Sequence, residues 1–148
     1  MRRQEMTRAN FENLRIYELS EKLSDRVWIC VARWDSFARD TVGKQLVRAA
    51  DSIGANIAEG SGRGSSQDYR RFLRMARGSL YETLHWLRRA YVRNLITAKQ
   101  TEELRHFVSE LSPTLNAYLR SVSKSASATN TQRPKTKGQR PKTKDQRP

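Results

Sequence analysis

The chain has 148 residues, a formal net charge of +14 and one cysteine. That length supports a single core of ordinary size, and one thiol excludes an internal disulfide framework. Nowhere do about eighteen apolar residues run together, and the opening MRRQEMTRAN leads into FENLRIYELSEKL without an apolar stretch, so no membrane span or secretory signal is expected and the cytoplasm is the expected compartment.

From Ile16 the apolar residues fall at Ile16, Leu19, Leu23, Val27, Cys30, Val31 and Trp34, spacings of three and four that predict a first helix over about 14–34. Cys30 lies on this stripe and reads as a small core residue, not a reactive thiol. After the polar break DSFARD, the positions Val42, Leu46, Ala49, Ala50, Ile53 and Ile57 predict a second helix over about 42–59, with Asp40 or Thr41 available as its cap. The run GSGRG then offers glycines for a left-handed helix terminus at Gly60. Ser65 followed by Asp68 has the form of a capping box, and Phe72, Leu73, Ala76, Leu80, Thr83, Leu84, Leu87 and Tyr91 carry a third helix over about 66–93. Within it Gly78 and Ser79 are small residues suited to close helix approach. Thr97 with Gln100 caps a fourth helix over about 98–122, whose buried set is Leu104, Phe107, Val108, Leu111, Leu115, Tyr118, Leu119 and Val122, with a kink expected at Pro113. No segment alternates with period two. The expected fold is therefore all-α, an antiparallel up-down four-helix bundle over residues 1–123.

Residues 124–148 contain no Val, Ile, Leu, Met, Phe, Trp, Tyr or Cys and repeat QRPKTKG, QRPKTKD, QRP, so they are expected to form a disordered basic tail. The charge is shared evenly. Residues 1–123 hold 21 Lys/Arg against 14 Asp/Glu and residues 124–148 hold 8 against 1, which is +7 in each. A proline in every repeat and the lack of apolar residues exclude a coiled-coil heptad. The tail can add a sequence-indifferent attraction to phosphate, or be a tandem duplication without consequence.

The segment Gly43 to Leu87 resembles a family known simply as four helix bundle proteins. The likeness rests on Gln45, Arg48, Ala49, Ser52, Ile53, the run NIAEG at Asn56 to Gly60, Arg63, Phe72, Leu73, Ala76, Gly78, Ser79, Glu82 and Leu87. With FENLRIYE it spans about residues 11–122, while Pro113 and the tail depart from the pattern. The family includes proteins encoded in intervening sequences of large-subunit ribosomal RNA genes and the accessory variability determinant of diversity-generating retroelements. The resemblance implies a basic homopentamer, and its retroelement members imply nucleic acid and a reverse transcriptase as partners.

Two Glu-x-x-His pairs, Glu82 with His85 and Glu103 with His106, have the spacing that di-iron bundles use. At about 100° per residue they point away from the apolar arcs, so no metal is expected. GSGRGSS lacks the Lys-Ser/Thr ending of a phosphate-cradling loop and follows a helix where such a loop follows a strand. No serine or cysteine stands beside a recognisable base, so no catalytic residue and no cofactor are assigned.

The charged surface carries more. Arg70, Arg74, Arg77 and Arg88 project within one arc of helix three, with Tyr81 and His85 among them and Arg71 and Arg89 at the edge. Arginine forks suit phosphate and an interleaved aromatic can stack on a base, whereas the plain alternative is a solvated helix face. Trp28 and Ile29 lie off the core stripe of helix one, with Tyr17 beside Trp28's face, and Arg48, Asn56 and Glu59 mark the outer side of helix two, which together suggest a subunit interface. Arg48 and Glu59 are placed to engage across turns or across a subunit boundary. The sequence thus points to a non-enzymatic, homo-oligomeric accessory protein that binds RNA or DNA backbone, with an oligomeric protein–protein scaffold as the alternative.

Overall fold

The computed structural model describes residues 9–131, and the repeats of the expected tail from residue 132 onward lie outside the described residues. Four helices build the bundle: α1 (Arg15–Val31), α2 (Lys44–Ser61), α3 (Ser66–Val92) and α4 (Ala98–Thr131). Short connections reverse the chain at each step. Each helix packs on its chain neighbours and α4 closes onto α1, the four-cornered arrangement of an antiparallel up-down bundle.

The termini are chemically specified. Ser65 Oγ accepts from the Asp68 amide at 3.1 Å and opens α3. At α4 the box is reciprocal: Thr97 Oγ1 accepts from the Gln100 amide at 3.1 Å, and Gln100 Oε1 accepts from the Thr97 amide at 2.9 Å. The end of α3 is a Schellman motif. Asn94 takes φ +57°, the Asn94 amide donates to the Tyr91 carbonyl at 3.0 Å, and the Leu95 amide donates to the Ala90 carbonyl at 2.9 Å.

Entry into α2 differs from expectation. Neither Asp40 nor Thr41 caps it; the helical path begins earlier, at a single turn Ser36–Ala38 whose Ala38 amide donates to Asp35 Oδ1 at 3.0 Å, and passes through a π-turn Arg39–Gly43. Much of the apparent break DSFARD is thus helical. Its polar character reflects exposure, with Phe37 carried outward. The exit from α2 differs too. Gly62 caps the helix at φ −81°, and no glycine among the described residues is left-handed. Gly60 is instead buried, and a Cβ there would come within 2.7 Å of Phe72 Cβ, so the glycine serves close approach of α2 to α3.

The core is a continuous apolar column. Leu19, Leu23 and Val27 of α1 meet Leu46, Ala50, Ile53 and Ile57 of α2, Leu73, Ala76 and Leu80 of α3, and Leu104, Leu111 and Leu115 of α4. Each large aliphatic side chain so enclosed stabilises the bundle by roughly 1.5–3 kcal/mol relative to exposure. The buried hydroxyls are satisfied locally: Ser20 Oγ donates to the Tyr17 carbonyl at 2.7 Å and Thr83 Oγ1 to the Ser79 carbonyl at 2.8 Å. Ion pairs from Arg15 to Glu110 and Arg26 to Glu103 tie α1 to α4 across the surface.

Two expected core positions are not in the core. Leu84 is 37% exposed and Tyr91 56%, because beside them the first turns of α4 present Thr101 and Arg105 and supply no full apolar cover. Nor does Gly78 serve close approach, since it is exposed and a Cβ added there meets nothing within 4 Å. Ser79 does face α2, with its Oγ 3.0 Å from Ser52 Oγ. Finally, α4 continues across Pro113 and runs nine residues beyond the expected end, so residues 124–131, assigned to the tail on composition, are helical.

Candidate functional site

Helix periodicity sets the outer face of α3. Residues spaced three, four and seven apart return to one side of a helix, so Arg70, Arg74, Arg77, Tyr81 and Arg88 share one arc of α3, which turns away from Ala76 and Leu80 and borders Leu73 on the side of Arg70 and Arg77. Arg74 and Arg88 are exposed, Tyr81 is 56% exposed, and Arg70, Arg77 and Arg89 are half-buried. None of the six arginines Arg70, Arg71, Arg74, Arg77, Arg88 and Arg89 forms an ion pair among the described residues, whereas Arg15, Lys22, Arg26, Arg39, Arg63 and Arg105 do.

The face is not uniform. Arg77 leans toward α4 and donates to Asn116 Oδ1 at 3.3 Å. Arg70 holds its Nε buried without a hydrogen-bond partner among the described residues. Arg71 stands apart from the arc, its guanidinium 5.2 Å from the centroid of the Phe72 ring, and Arg63 lies over the same ring at 4.9 Å. This cation–π pair gathers two arginines at the N-terminal end of α3, next to the glycine turn after α2.

The second expected cluster divides similarly. Trp28 is 63% and Ile29 46% exposed, but they point from different sides of α1. Trp28 lines a recess of about 450 Å³ with Lys44, Val47 and Arg48. Arg48 also lines a recess of about 890 Å³ on the other side of the π-turn, with Phe37, Trp86 and Arg93. Phe37, at 79% exposure, went unnoticed in the sequence because it lies within DSFARD, which reads as a polar break between helices. Tyr17 is half-buried, packed edge-on to Phe11 with ring centroids 4.9 Å apart. Asn56 is turned inward to its own helix, donating to the Ser52 carbonyl at 2.8 Å. The expected Arg48–Glu59 engagement does not form within the chain: Glu59 pairs one turn on with Arg63 at 2.6 Å, as eleven residues along a helix separate Arg48 too far.

Of the two Glu-x-x-His pairs, Glu82, His85 and His106 are exposed, and Glu103 is held by Arg26. Among the described residues no group of three or more His, Cys, Asp or Glu side chains is placed to hold a metal ion, and no helix is long and apolar enough to cross a membrane. Cys30 is buried at 7% exposure, and burial pushes its thiol pKa up, away from the thiolate that reactivity needs.

Residues 12–117 match the family model described as 23S rRNA-intervening sequence protein. The chain belongs to this family. The match takes in α1, α2 and α3 whole and ends inside α4, so the serine-rich continuation of that helix and the basic repeats lie beyond it. The fold is similar to the solved structure of a protein with unknown function from the S23 ribosomal protein family of Bacteroides thetaiotaomicron. The TM-score is 0.63 at 25% identity, covering 70% of this chain and 97% of that one. No curated protein matches the chain.

Proposed function

We propose that this intervening-sequence protein is a non-enzymatic, homo-oligomeric accessory protein that binds the backbone of RNA or DNA through the outer face of α3. The observation that carries the reading is the set of six α3 arginines, none of them in an ion pair among the described residues, with exposed Tyr81 between them. A solvated helix face usually interleaves its charges with opposite ones, and α3 between Arg70 and Arg89 has Glu82 as its one acidic residue. Guanidinium groups without an internal carboxylate partner can take phosphate oxygens as bidentate acceptors. The exposed Trp28 and Phe37, flanking the start of α2 with Arg48 common to both recesses, support assembly with further copies of the chain. A pentamer, and a reverse transcriptase as partner, are what the resemblance to the retroelement members adds to this proposal.

The test is titration of labelled RNA and DNA at two salt concentrations. Arg70→Gln, Arg74→Gln and Arg77→Gln together should weaken binding more than deletion of residues 132–148, although the deletion removes a net charge of +6, seven Lys/Arg against one Asp. The fixed face loses placed donors in every subunit at once. The slope of log K against log salt should become shallower by about 2 to 3 per engaged subunit. Both variants must keep wild-type helicity and mass. If the deletion abolishes binding while the triple variant binds like wild type, the α3 face is only solvated, and the scaffold reading, which Trp28 and Phe37 favour, takes its place.

A further inference from the structure

Toward the C-terminus of α3 the arginine face borders an apolar groove open to solvent. Leu84, Leu87 and Tyr91 form its α3 wall, and Leu104 and Val108 its α4 wall. Two of these side chains that helical spacing assigns to the core, Leu84 and Tyr91, are left 37% and 56% exposed. The groove holds about 210 Å³. That is below the ~300–1,000 Å³ of sites that enclose a whole drug-sized ligand, so it fits one small group and not a larger ligand.

The rim is cationic on both sides. Arg88 belongs to the α3 face and makes no ion pair among the described residues; Arg105 of α4 reaches Glu102 at 3.9 Å, with both side chains more than three-quarters exposed. An ion pair that open is screened and gives way readily to a better anion. An apolar slot with an aromatic wall and two arginines at its lip is complementary to a flat heterocycle carrying a phosphate. An apolar protein segment seated there would leave Arg88 without counter-charge and Arg105 with only its exposed, screened contact to Glu102. A continuous duplex keeps its bases stacked inside and has none to offer.

We infer that this groove seats a single unpaired base of a strand whose backbone runs along α3, so that the ligand is single-stranded, or bulged, and not a continuous duplex. The inference rests on the functional reading above. Stacking on exposed aromatic side chains is how proteins hold single strands without reading sequence.

The experiment compares a labelled single strand of ~12 nucleotides, within the usual span of single-strand sites, with the duplex of the same sequence, both titrated against the full chain. Tyr91→Ala should weaken single-strand binding about 5- to 150-fold, the loss expected for one stacked base, and leave duplex binding and the salt slope unchanged. Tyr91→Phe should restore wild-type affinity and Tyr91→Leu should not, which separates stacking from plain apolar contact. The groove has no such role if Tyr91→Ala binds the single strand like wild type, if it loses both ligands equally, or if it lowers the oligomer mass, which would make the groove a protein contact. Equal wild-type affinity for both ligands would also overturn the inference while leaving backbone binding intact. Binding to neither would overturn the functional reading itself.

Discussion

Tyr69 shows how one residue can couple packing to pH. Its hydroxyl lies 2.7 Å from that of Tyr118, joining α3 to α4, and burial, then this hydrogen bond, raise its pKa above the ordinary tyrosine value. The folded state therefore favours the neutral phenol. The resulting stabilisation is fully present below about pH 10, where an unfolded tyrosine is also neutral, and is lost as pH rises toward the higher folded pKa. Tyr69→Phe should cost about 0.5–1.5 kcal/mol at neutral pH. In urea titrations the wild type's advantage over this variant should shrink above about pH 10; a constant advantage would show that the phenol is not held neutral by the fold. The neighbouring pair Gly78 and Ser79 makes a second residue-scale test. With open space around Gly78, Gly78→Ala should stabilise α3 by about 0.5–1 kcal/mol. Ser79→Leu, aimed at Ser52 of α2, should destabilise by about 1–3 kcal/mol. Melting temperatures that move in opposite directions would confirm both placements.

At the scale of elements, the α2–α3 contact is set by glycine at its tight end. Gly60 is buried, and an added Cβ would also stand 3.0 Å from Tyr69 Cδ2, besides meeting the Phe72 Cβ. Neither neighbour can swing aside easily, because one is a Cβ and the other belongs to a ring engaged with Tyr118. Gly60→Ala should therefore force the two helices apart and destabilise by about 1–3 kcal/mol, outweighing the better helix propensity of alanine. Chemical denaturation would check it, and a neutral result would mean that the α2–α3 end relaxes freely. Gly43 serves the same end at the opposite pole of α2, where a Cβ would come within 2.6 Å of Val31 Cγ1. Close approach at both ends holds α2 tightly between α1 and α3.

At the scale of the whole molecule, a basic bundle exposes large apolar side chains at Trp28, Ile29 and Phe37 near one end. Exposed singly, such residues have no consequence; Trp28 and Phe37, each lining one of two adjacent recesses, suit contact with another copy, while Ile29 lies outside both. Trp28→Ala with Ile29→Ser should lower the mass measured by light scattering while helical content stays nearly unchanged, since neither side chain belongs to the core. A wild-type protein that is monomeric at micromolar concentration would end the proposal of an oligomer. Assembly and nucleic-acid binding are linked in this reading, because repeating the α3 face around an oligomer multiplies weak phosphate contacts on one strand.

The sequence by itself determined the four helices, most of the buried column, the Ser65 cap of α3 and the reciprocal Thr97–Gln100 box of α4, because these depend on spacing along one helix and on side chains reaching amides three residues away; the reciprocal half of the box expected at Ser65 and Asp68 is not formed. It also placed the six α3 arginines on or beside one outward arc, for the same reason of helical period. Its errors have a common cause. Gly60, read only as a helix terminus, also packs tightly against α3, and Gly78, read as a packing contact, faces open space, since what surrounds a glycine is set by the helix opposite and not by its own neighbours in sequence. Leu84 and Tyr91 belong to the apolar period of α3, but whether an apolar residue is covered depends on the residues across from it, here Thr101 and Arg105 of α4. The apparent break before α2 became a helical turn and π-turn because Asp35 caps it and Val31 packs against Gly43. Tertiary structure alone decided which arginines are free of ion pairs and where the groove beside them opens, since both depend on distances between helices that helical period does not encode.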